Sequence, residues 1–476
     1  MKYTNLGFKT ASVVGIGISN RPLIGWLTDR GIRVTARDIK PRDKLEPLAE
    51  ELEKAGVTVV CGEAYLDGIT DEAVFRAPGI RFDKPQFLAA AERGALITSE
   101  MELFFELCPC PIIGVTGSDG KTTTTTVIGR LLERAFPRVF LGGNIGEPLL
   151  PKVEEMSPSD IAAVELSSFQ LQTMKRSPNV AVITNITPNH LDYHLDMDEY
   201  IQAKSNIFRH QRPGGRLVLN AANEITRRFA DDAQDGVEVV LFGEDGDVRE
   251  QFIDGRNYIC RRGEPVLAAD EIRVPGHHNV ENYMAVIAAL EGFVPDDEIR
   301  RFARSFGGVE HRIELVCERD GVKFYNSSID SSPARTIAAL ESFDYDPNRL
   351  PGAPITEKSP DERRLIVIMG GYDKKIPFEP LSEPLCRLAK AVVFTGAAGE
   401  KIKQTVTRGA EFSKRPFEYH SVPDFDEAVR AAAALAKSGD IVILSPACAS
   451  FDAFPNFMAR GEKFRSLICQ TRRTGG

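Results

Sequence analysis

The chain of 476 residues lacks any run of about 18 consecutive apolar residues, the length that a membrane-spanning helix needs. Its first residues, MKYTNLGFKTASVV, contain no long apolar segment followed by a small-residue cleavage site, so we expect no signal peptide. It also lacks an excess of basic residues, since 59 Lys and Arg stand against 68 Asp and Glu. This balance disfavours a nucleic-acid partner held by bulk charge. We therefore expect a cytoplasmic protein that neither enters a membrane nor binds nucleic acid.

Cysteine is scarce, and its spacing is uninformative. The chain has eight scattered cysteines. Cys108 and Cys110 form a CPC sequence that is too short for a zinc pair, and no second CxxC exists. We expect reduced, buried thiols rather than a disulfide framework. No repeat with a period of 20–50 residues is visible, which disfavours a solenoid or a propeller.

Short, nearly continuous apolar runs alternate with amphipathic segments. Runs such as PIIGVTG and DIVILSP are typical of strands buried on both faces of a parallel sheet, while DFDEAVRAAAALAKSG has helical spacing. The pattern predicts an α/β fold in which mostly parallel sheets with flanking helices recur, and the length predicts about three domains. ELCPCP (106–111) and FGGVEHRIE (306–314) place these domains at 1–109, 110–309 and 310–476. The Pro-rich segment 345–364 is predicted to be a surface insertion.

The strongest local signal is PIIGVTGSDGKTTTTTVIGRLLER, residues 111–134. A predicted strand and a predicted helix enclose the loop Gly117-Ser118-Asp119-Gly120-Lys121-Thr122-Thr123. Glycines let backbone N–H groups face phosphate oxygens, and a helix N-terminus adds positive charge. Lys121 can then reach the outer phosphates and Thr122 can bind Mg²⁺. The match to G-x-x-x-x-G-K-[ST] is incomplete, because Val115 stands where the first glycine belongs.

Polar residues follow two further predicted strands. Glu165 ends the strand IAAVE, where doubly wound sheets bind ligands, so it is either a Mg²⁺ ligand or an incidental glutamate ahead of a helix. His190 and His194 have i, i+4 spacing, but Leu191 stands where an HExxH zinc motif needs Glu. Lys204 lies on the predicted helix YIQAKSNIF, and spacing alone predicts that it is solvated.

A glycine turn follows the first predicted strand. In VVGIGISNRPL, Gly15 and Gly17 are followed by Asn20 where a third glycine would complete a dinucleotide fingerprint. Asp38 ends the next predicted strand, at about the offset of a ribose-binding acid. The turn fits a nucleotide site, a dinucleotide site or a tight turn without a ligand, and the missing glycine argues against NAD.

Together these segments resemble the Mur ligases, the ATP-dependent amide ligases of peptidoglycan synthesis. Blocks similar to those of the family occur in its order along essentially the whole chain: VTGSDGKTT, GGNIG (142–146), VELSSFQL (164–171), NITPNHLDYH (185–194), PGHHNVENYMA (275–285) and EHRIE (310–314). The run LSPACASFDAFPNFMARGEKFR (444–465) is similar to that of members that add D-glutamate to UDP-N-acetylmuramoyl-L-alanine.

The resemblance implies three domains with separate tasks. A Rossmann-like first domain would bind the UDP-linked substrate, a central phosphate-loop domain would bind ATP, and a Rossmann-like C-terminal domain would bind D-glutamate. ATP would phosphorylate the substrate carboxylate, and the amine would displace phosphate from the acyl phosphate. The implied cofactors are ATP and Mg²⁺, with two ions and a carbamylated Lys204. We also expect a monomer in the bacterial cytoplasm.

The resemblance also implies roles for single residues. The residues expected at ATP are the loop 117–123, Asn279, Asn282 and Arg312. The expected catalytic residues are Lys121, Glu165, His190 and Lys204. The expected Mg²⁺ ligands are Thr122, Glu165, His190 and Lys204. The residues expected at the UDP-linked substrate are Gly15, Gly17, Ser19, Arg37, Asn144 and Ser167. The residues expected at D-glutamate are Lys374, Ser450, Phe451 and Phe457.

One block departs from the family pattern. In YNSSIDSSPARTIAAL (325–340), Ser327 stands where relatives commonly have Asp, and Ile329 stands where they have Lys. Asp330 is a candidate replacement for the acid from a shifted position. Ser331 and Arg335 are the candidate substitutes for the remaining contacts.

Three alternatives remain at this point. Another amide ligase is one, although a DNPR-like motif of siblings is absent and folylpolyglutamate synthase lacks the SPACASFDAF block. An NAD-dependent dehydrogenase would explain the glycine turn but would assign no function to Lys121 and Glu165. A phosphate-loop ATPase without ligase activity would hydrolyse ATP in the absence of an amino acid.

Overall fold

The computed structural model describes residues 5–349 and 359–470, so part of the predicted insertion at 345–364 lies outside the described residues. The described residues form three separate sheets with flanking helices, which confirms the predicted α/β class. The chain divides into two compact units: Met1–Glu250, Cys260–Glu264 and Asn282–Ile299 form the first, and Gln251–Ile259, Pro265–Glu281 and Arg300–Gly476 form the second. The boundaries after residues 109 and 309 stay a prediction.

The first sheet is parallel, with the strand order β3-β2-β1-β4-β5. Its strands are β1 (Thr10–Val14), β2 (Arg33–Asp38), β3 (Thr58–Cys61), β4 (Ala73–Arg76) and β5 (Leu96–Thr98). Its helices are α1 (Asn20–Thr28), α2 (Leu48–Lys54), α3 (Pro85–Glu92) and α4 (Glu100–Leu107). The chain winds outward in both directions from β1, and ligands bind at such switch points beyond the carboxyl ends of the strands. The glycine turn lies at this place.

The second sheet contains six parallel strands of the first unit in the order β11-β10-β9-β6-β8-β7. These strands are β6 (Ile112–Thr116), β7 (Val139–Gly143), β8 (Ile161–Glu165), β9 (Val180–Ile183), β10 (Arg216–Asn220) and β11 (Glu238–Phe242). The intervening helices are α5 (Lys121–Leu132), α6 (Ser168–Leu171), α7 (Met197–Arg209) and α8 (Glu224–Arg228). Because β6 lies between β8 and β9, the phosphate loop, Glu165 and the segment after Ile183 share one edge.

Further elements follow along the chain before the third sheet. They are β12 (Val248–Ile253), β13 (Arg256–Arg261), β14 (Glu264–Ala268), α9 (His277–Leu290) and α10 (Asp296–Ser305). None of the helices in the described part of the chain is long and apolar enough to cross a membrane.

The third sheet has the strand order β15-β16-β20-β17-β18-β19, and only β15 is antiparallel to its neighbour. Its strands are β15 (Glu314–Arg319), β16 (Val322–Asn326), β17 (Leu365–Gly370), β18 (Ala389–Thr395), β19 (Glu418–Ser421) and β20 (Ile441–Leu444). Its helices are α11 (Pro333–Ser342), α12 (Ser382–Leu388), α13 (Gly399–Thr407), α14 (Ala410–Lys414), α15 (Phe425–Leu435) and α16 (Phe457–Gln470). Apolar cores cover both faces of this sheet. The carboxyl ends of β16, β20 and β17 are therefore neighbours.

Glu100 is a buried carboxyl group in the first turn of α4. Its Oε1 accepts a hydrogen bond of 3.0 Å from the backbone N–H of Leu150, and burial raises its pKa from 4.5 to about 7. Between those pH values the folded chain binds more protons than the unfolded chain, so the free energy of unfolding falls as pH rises.

We expect Glu100→Gln to raise the free energy of unfolding by about 3 kcal/mol at about pH 8, where the wild-type carboxylate is charged. The gain should disappear below about pH 4, where both states of the wild type are protonated. Urea unfolding at several pH values measures this difference. The exposed Glu106 on the same helix provides the control Glu106→Gln. A gain that is independent of pH would contradict the explanation.

Candidate functional site

The phosphate loop is held in place by the segment that follows β9. The backbone N–H of Ser118 donates to the carbonyl of Asn185 at 2.9 Å, and that of Asp119 donates to Asn185 Oδ1 at 2.9 Å. Thr184 Oγ1 donates to the carbonyl of Asp119 at 2.5 Å. These bonds fix the loop before any ligand binds.

The two loop glycines leave no room for a side chain. Gly117 has φ +148°, and a Cβ there would lie 1.9 Å from Thr184 Oγ1. Gly120 has φ +79°, and a Cβ there would lie 2.4 Å from Asn282 Oδ1. The same oxygen of Asn282 accepts a hydrogen bond of 3.2 Å from Thr124 Oγ1 in the first turn of α5. Asn282 therefore lies beside the loop, where the sequence predicted an ATP-binding residue.

Two lysines converge on one carbonyl of this loop. Lys121 Nζ donates to the carbonyls of Gly117 and Ser118 at 2.9 and 2.8 Å. Lys204 Nζ donates to the carbonyl of Gly117 at 2.7 Å and to Thr116 Oγ1 at 3.3 Å. Anionic oxygens that arrive here would meet the ends of both lysine side chains.

Lys204 is only 2% exposed, so the solvated lysine that spacing alone predicted is wrong. The reason is that α7 packs against β6 and turns this side chain toward the strand end. Its ammonium also lies 4.8 Å above the ring of Tyr200. Burial, and then the neighbouring charge of Lys121, lower the pKa of Lys204 well below its usual range. The lowered pKa favours the neutral amine.

Glu165 ends β8, as the sequence predicted, and is 1% exposed. Its Oε1 accepts a hydrogen bond of 2.9 Å from Asn144 Nδ2. Its Oε2 is buried and has no hydrogen-bond partner among the described residues. A buried carboxylate oxygen without a partner is costly, and a carboxylate is a ligand that a hard divalent cation prefers. The residues present thus fit Mg²⁺.

The two histidines differ in environment. His190 is exposed, has φ +54°, and its ring centroid lies 5.0 Å from that of Phe169. Burial of part of its ring lowers the pKa of His190, so the neutral form dominates near pH 7. His194 is buried, and its Nε2 lies at hydrogen-bond distance, 2.9 Å, from Ser168 Oγ. His194 supports α6, whereas His190 is available to a ligand.

Ser167 begins α6 directly after the Glu165 strand. Its Oγ accepts a hydrogen bond from the N–H of Gln170 at 3.3 Å, and Gln170 Oε1 accepts one from the N–H of Ser167 at 2.9 Å. This reciprocal pair is a capping box, which satisfies N–H groups of the first turn. The predicted substrate contact of Ser167 stays a prediction.

The glycine turn of the first sheet is also internally fixed. Gly15 has φ +86°, and a Cβ there would lie 2.8 Å from Ala77 Cβ, whereas Gly17 has open space around it. The N–H of Ile16 donates to Asp38 Oδ2 at 2.8 Å. Ser19 precedes α1 and makes no capping bond through its side chain. The turn leaves its outer side open at Gly17.

Arg37 is turned into the first unit rather than outward. Its guanidinium donates to Ser12 Oγ at 2.9 Å and to the carbonyls of Tyr65 and Asp67 at 3.1 and 2.9 Å. Burial lowers the pKa of Arg37. The side chain supports the loop after β3, and its predicted contact with a UDP-linked substrate stays a prediction.

In the second unit, Lys374 follows the carboxyl end of β17, and Ser450 and Phe451 follow that of β20. Lys374 Nζ donates to Ser331 Oγ at 3.1 Å. The N–H of Tyr372 donates to the carbonyl of Ala449 at 2.8 Å, which brings this loop beside the buried Ser450. The exposed Phe451 has its ring centroid 6.2 Å from that of Tyr372. The exposed cation Lys374 thus lies beside the hydroxyl group of Ser331.

Arg460 is a residue that sequence reasoning missed. It is buried, and its guanidinium donates to Ser328 Oγ at 3.0 Å, to the carbonyl of Ser328 at 2.9 Å, and to the carbonyls of Cys448 and Ala449 at 3.0 Å each. Burial lowers its pKa to about 10. Ser328 Oγ in turn donates to the carbonyl of Phe457 at 2.8 Å. No local motif signals this role, because most of its acceptors are backbone carbonyls.

The divergent block places its acid inside the second unit. Asp330 is buried and accepts a hydrogen bond of 2.8 Å from Ser445 Oγ, and burial raises its pKa to about 6. Ser327 Oγ accepts a bond of 3.2 Å from the N–H of Ile313. Arg335 donates to the carbonyl of Ile329 at 3.3 Å. Asp330 thus binds the neighbouring strand end, and its role as a replacement acid stays a prediction.

The remaining predicted nucleotide residues of the second unit differ in exposure. Arg312 is exposed, whereas Asn279 is buried and donates through Nδ2 to the carbonyl of Pro275 at 2.7 Å. The amide of Asn279 therefore fixes the start of α9.

Comparisons with known proteins agree with this geometry. Residues 115–290 match the Mur ligase middle domain, and residues 311–448 match the domain described as Mur ligase, glutamate ligase domain. The chain is 43% identical over 462 residues to the UDP-N-acetylmuramoylalanine–D-glutamate ligase of Clostridium botulinum (strain Kyoto / Type A2), covering 97% of this chain and 96% of the relative. It is 45% identical over 467 residues to the ligase of the same name from Acetivibrio thermocellus, with the same coverage.

Solved structures share the fold. The UDP-N-acetylmuramate-alanine ligase of Thermotoga maritima matches with a TM-score of 0.57 and 19% identity, covering 98% of this chain and 100% of that one. A UDP-N-acetylmuramoyl-L-alanyl-D-glutamate–2,6-diaminopimelate ligase matches with a TM-score of 0.56 and 18% identity, covering 93% of each. Sequence identity this low supports only a shared fold. The two ligases of higher identity match the chain over nearly its full length, which supports membership of the same family. The chain belongs to the Mur ligase family.

Proposed function

We propose that this protein joins D-glutamate to UDP-N-acetylmuramoyl-L-alanine at the expense of ATP, in peptidoglycan synthesis. The observation that carries the proposal is the identity of 43% and 45%, over 97% of the chain, to ligases named for this reaction. The phosphate loop with its two lysines and the buried Glu165 supply the chemistry that such a reaction needs. We further propose that the enzyme acts as a monomer in the cytoplasm.

The chemistry begins with the substrate carboxylate, which is a poor acyl donor because its leaving group would be oxide. Transfer of the terminal phosphoryl group of ATP gives an acyl phosphate, and the amine of D-glutamate then displaces phosphate through a tetrahedral intermediate. Lys121 and the N-terminus of α5 bind the transferring phosphoryl group and offset its charge.

We propose that two Mg²⁺ ions assist this phosphoryl transfer. The proposed ligands of one Mg²⁺ are Thr122 and Glu165. The proposed ligands of a second Mg²⁺ are His190 and a carbamylated Lys204. When bound, Mg²⁺ neutralises charge on phosphate oxygens. The orphaned Oε2 of Glu165 supports this assignment.

The environment of Lys204 favours its carbamylation. Its lowered pKa leaves a neutral amine, which is the form that attacks CO₂. A C–N bond forms, the amine proton leaves to solvent, and the product is an anion. The side chain then changes from a cation that repels Lys121 into an anion that attracts it.

The amino acid is proposed to bind beside Lys374, Ser450, Phe451 and Phe457. Lys374 is the exposed cation of this group, and a carboxylate of D-glutamate is its natural partner. We expect Lys374→Ala to raise the KM for D-glutamate about 10- to 100-fold, since a hydrogen bond to a charged group contributes about 1.5–3 kcal/mol.

Steady-state kinetics with D-glutamate as the varied substrate measure this effect. The matched control is Lys414→Ala, which removes an exposed lysine from α14 of the same unit. An unchanged KM for D-glutamate in Lys374→Ala would place the amino-acid pocket elsewhere.

A phosphate-release assay tests the proposed function. Release should require ATP, UDP-N-acetylmuramoyl-L-alanine and D-glutamate together, and ¹⁸O from the substrate carboxylate should appear in the phosphate. A sibling ligase would respond to a different amino acid, and a simple ATPase would release phosphate without either substrate. Either result would overturn the proposal.

A further inference from the structure

Three sulfur atoms converge beside the segment that follows α4. Cys108 Sγ lies 3.5 Å from Cys110 Sγ and 3.9 Å from Met156 Sδ. Cys110 and Met156 are buried, and Cys108 is half-buried. All three belong to the first unit. The sequence showed only the CPC pair, because Met156 is 48 residues away from Cys108.

The separations suit a metal ion that is ligated by sulfur. With metal–sulfur bonds of about 2.3 Å, two sulfur ligands lie about 3.8–4.0 Å apart in tetrahedral or trigonal geometry. Thiolate and thioether ligands without nitrogen or oxygen select Cu(I) over Zn²⁺ and harder cations. We propose that Cys108, Cys110 and Met156 form a three-coordinate binding site for Cu(I).

A cavity beside the cysteines provides access for the ion, and charged side chains that line it offset the charge of the bound ion. Both cysteines line a cavity of about 540 Å³ that is also lined by Lys175, Arg176, Arg212 and Glu106, the last of which pairs with Arg176. A Cu(I) ion with two thiolates and one thioether carries a net charge of −1, which these cations offset.

Copper binding changes the protonation of both cysteines. On binding, two S–H bonds break and two protons leave to solvent, while three Cu–S bonds form. No electrons are transferred, because copper arrives and remains as Cu(I).

The bound ion has a structural consequence. It connects residues 108–110 to Met156, which follows the 3₁₀ turn Leu150–Lys152. The N–H of Leu150 already bonds Glu100 of α4. The site would thus add a second link between these two segments.

Anaerobic titration of the reduced full-length protein with Cu(I) and ascorbate, against a chromogenic Cu(I) chelator, tests the site. We expect one tight equivalent, with affinity reduced at least about 100-fold in Cys108→Ser and Cys110→Ser. Met156→Leu, which nearly conserves volume, should lose about 10-fold. X-ray absorption should show three sulfur neighbours in the wild type and two in Met156→Leu.

The matched control is Cys386→Ser, a buried thiol of the second unit, which should bind Cu(I) like the wild type. Circular dichroism and ligase activity without copper verify that each variant is folded. Equal binding in the wild type and Cys108→Ser would overturn the site, as would equal loss in Cys386→Ser.

Discussion

Replacing Lys121 by alanine is expected to lower kcat for ligation by about 10³-fold, the loss typical of removing one stabilising group from a transition state. Lys121 is held on the loop by the carbonyls of Gly117 and Ser118. Its ammonium can move from these neutral acceptors to phosphate oxygens, where a full negative charge gives a stronger bond. The other lysine at the loop, Lys204, has a lowered pKa that favours its neutral form, so it does not supply this charge.

Phosphate release at saturating substrates measures this loss. Arg130→Ala is the control on the same helix, because Arg130 is exposed and pairs with Glu133 on the surface. Its kcat should match that of the wild type. Normal turnover of Lys121→Ala would refute the assignment of the phosphate loop.

Lys204→Ala is expected to be nearly inactive, with a loss of about 10³-fold or more, and to recover partly in the presence of short carboxylic acids. Removing the side chain empties a buried position between Thr116 and Tyr200. Formate or acetate can enter such a space and place a carboxylate where the carbamate oxygens would be. Rescue therefore tests charge and position together, which a loss of activity alone does not.

The control for rescue is Lys121→Ala, which lacks a cation rather than an anion and should not respond to acetate. Labelling the wild type with ¹³C bicarbonate should give a carbamate carbon signal that is absent from Lys204→Ala. Loss without rescue and without a carbamate signal would assign Lys204 a role as a cation instead.

The phosphate loop could be predicted because all its parts are contiguous. Strand, glycines, Lys121 and Thr122 occupy one stretch, and their conformation follows from local chemistry. Glu165 could be placed for a similar reason, since parallel strands deliver their carboxyl ends to one edge. The resemblance to Mur ligases then indicated the reaction, which the spacing of single residues could not indicate.

Residues whose partners are distant in sequence could not be placed in this way. The burial of Lys204 depends on how α7 packs, and the contact of Asn282 with the loop joins residues 158 positions apart. Arg37 and Arg460 mostly bind backbone carbonyls, which are the same in every residue type and therefore leave no pattern. The sulfur cluster needed Met156, which no spacing rule connects with a CPC sequence.

The four hydrogen bonds of Arg460 have a practical meaning for anyone who wishes to alter the choice of amino acid. One guanidinium binds Ser328 Oγ and the backbone carbonyls of Ser328, Cys448 and Ala449, so a library that randomises Arg460 will lose these bonds in nearly every member. Substitutions are better introduced at exposed neighbours such as Tyr372, Lys374 and Phe451, whose side chains can change without breaking the hydrogen bonds of Arg460.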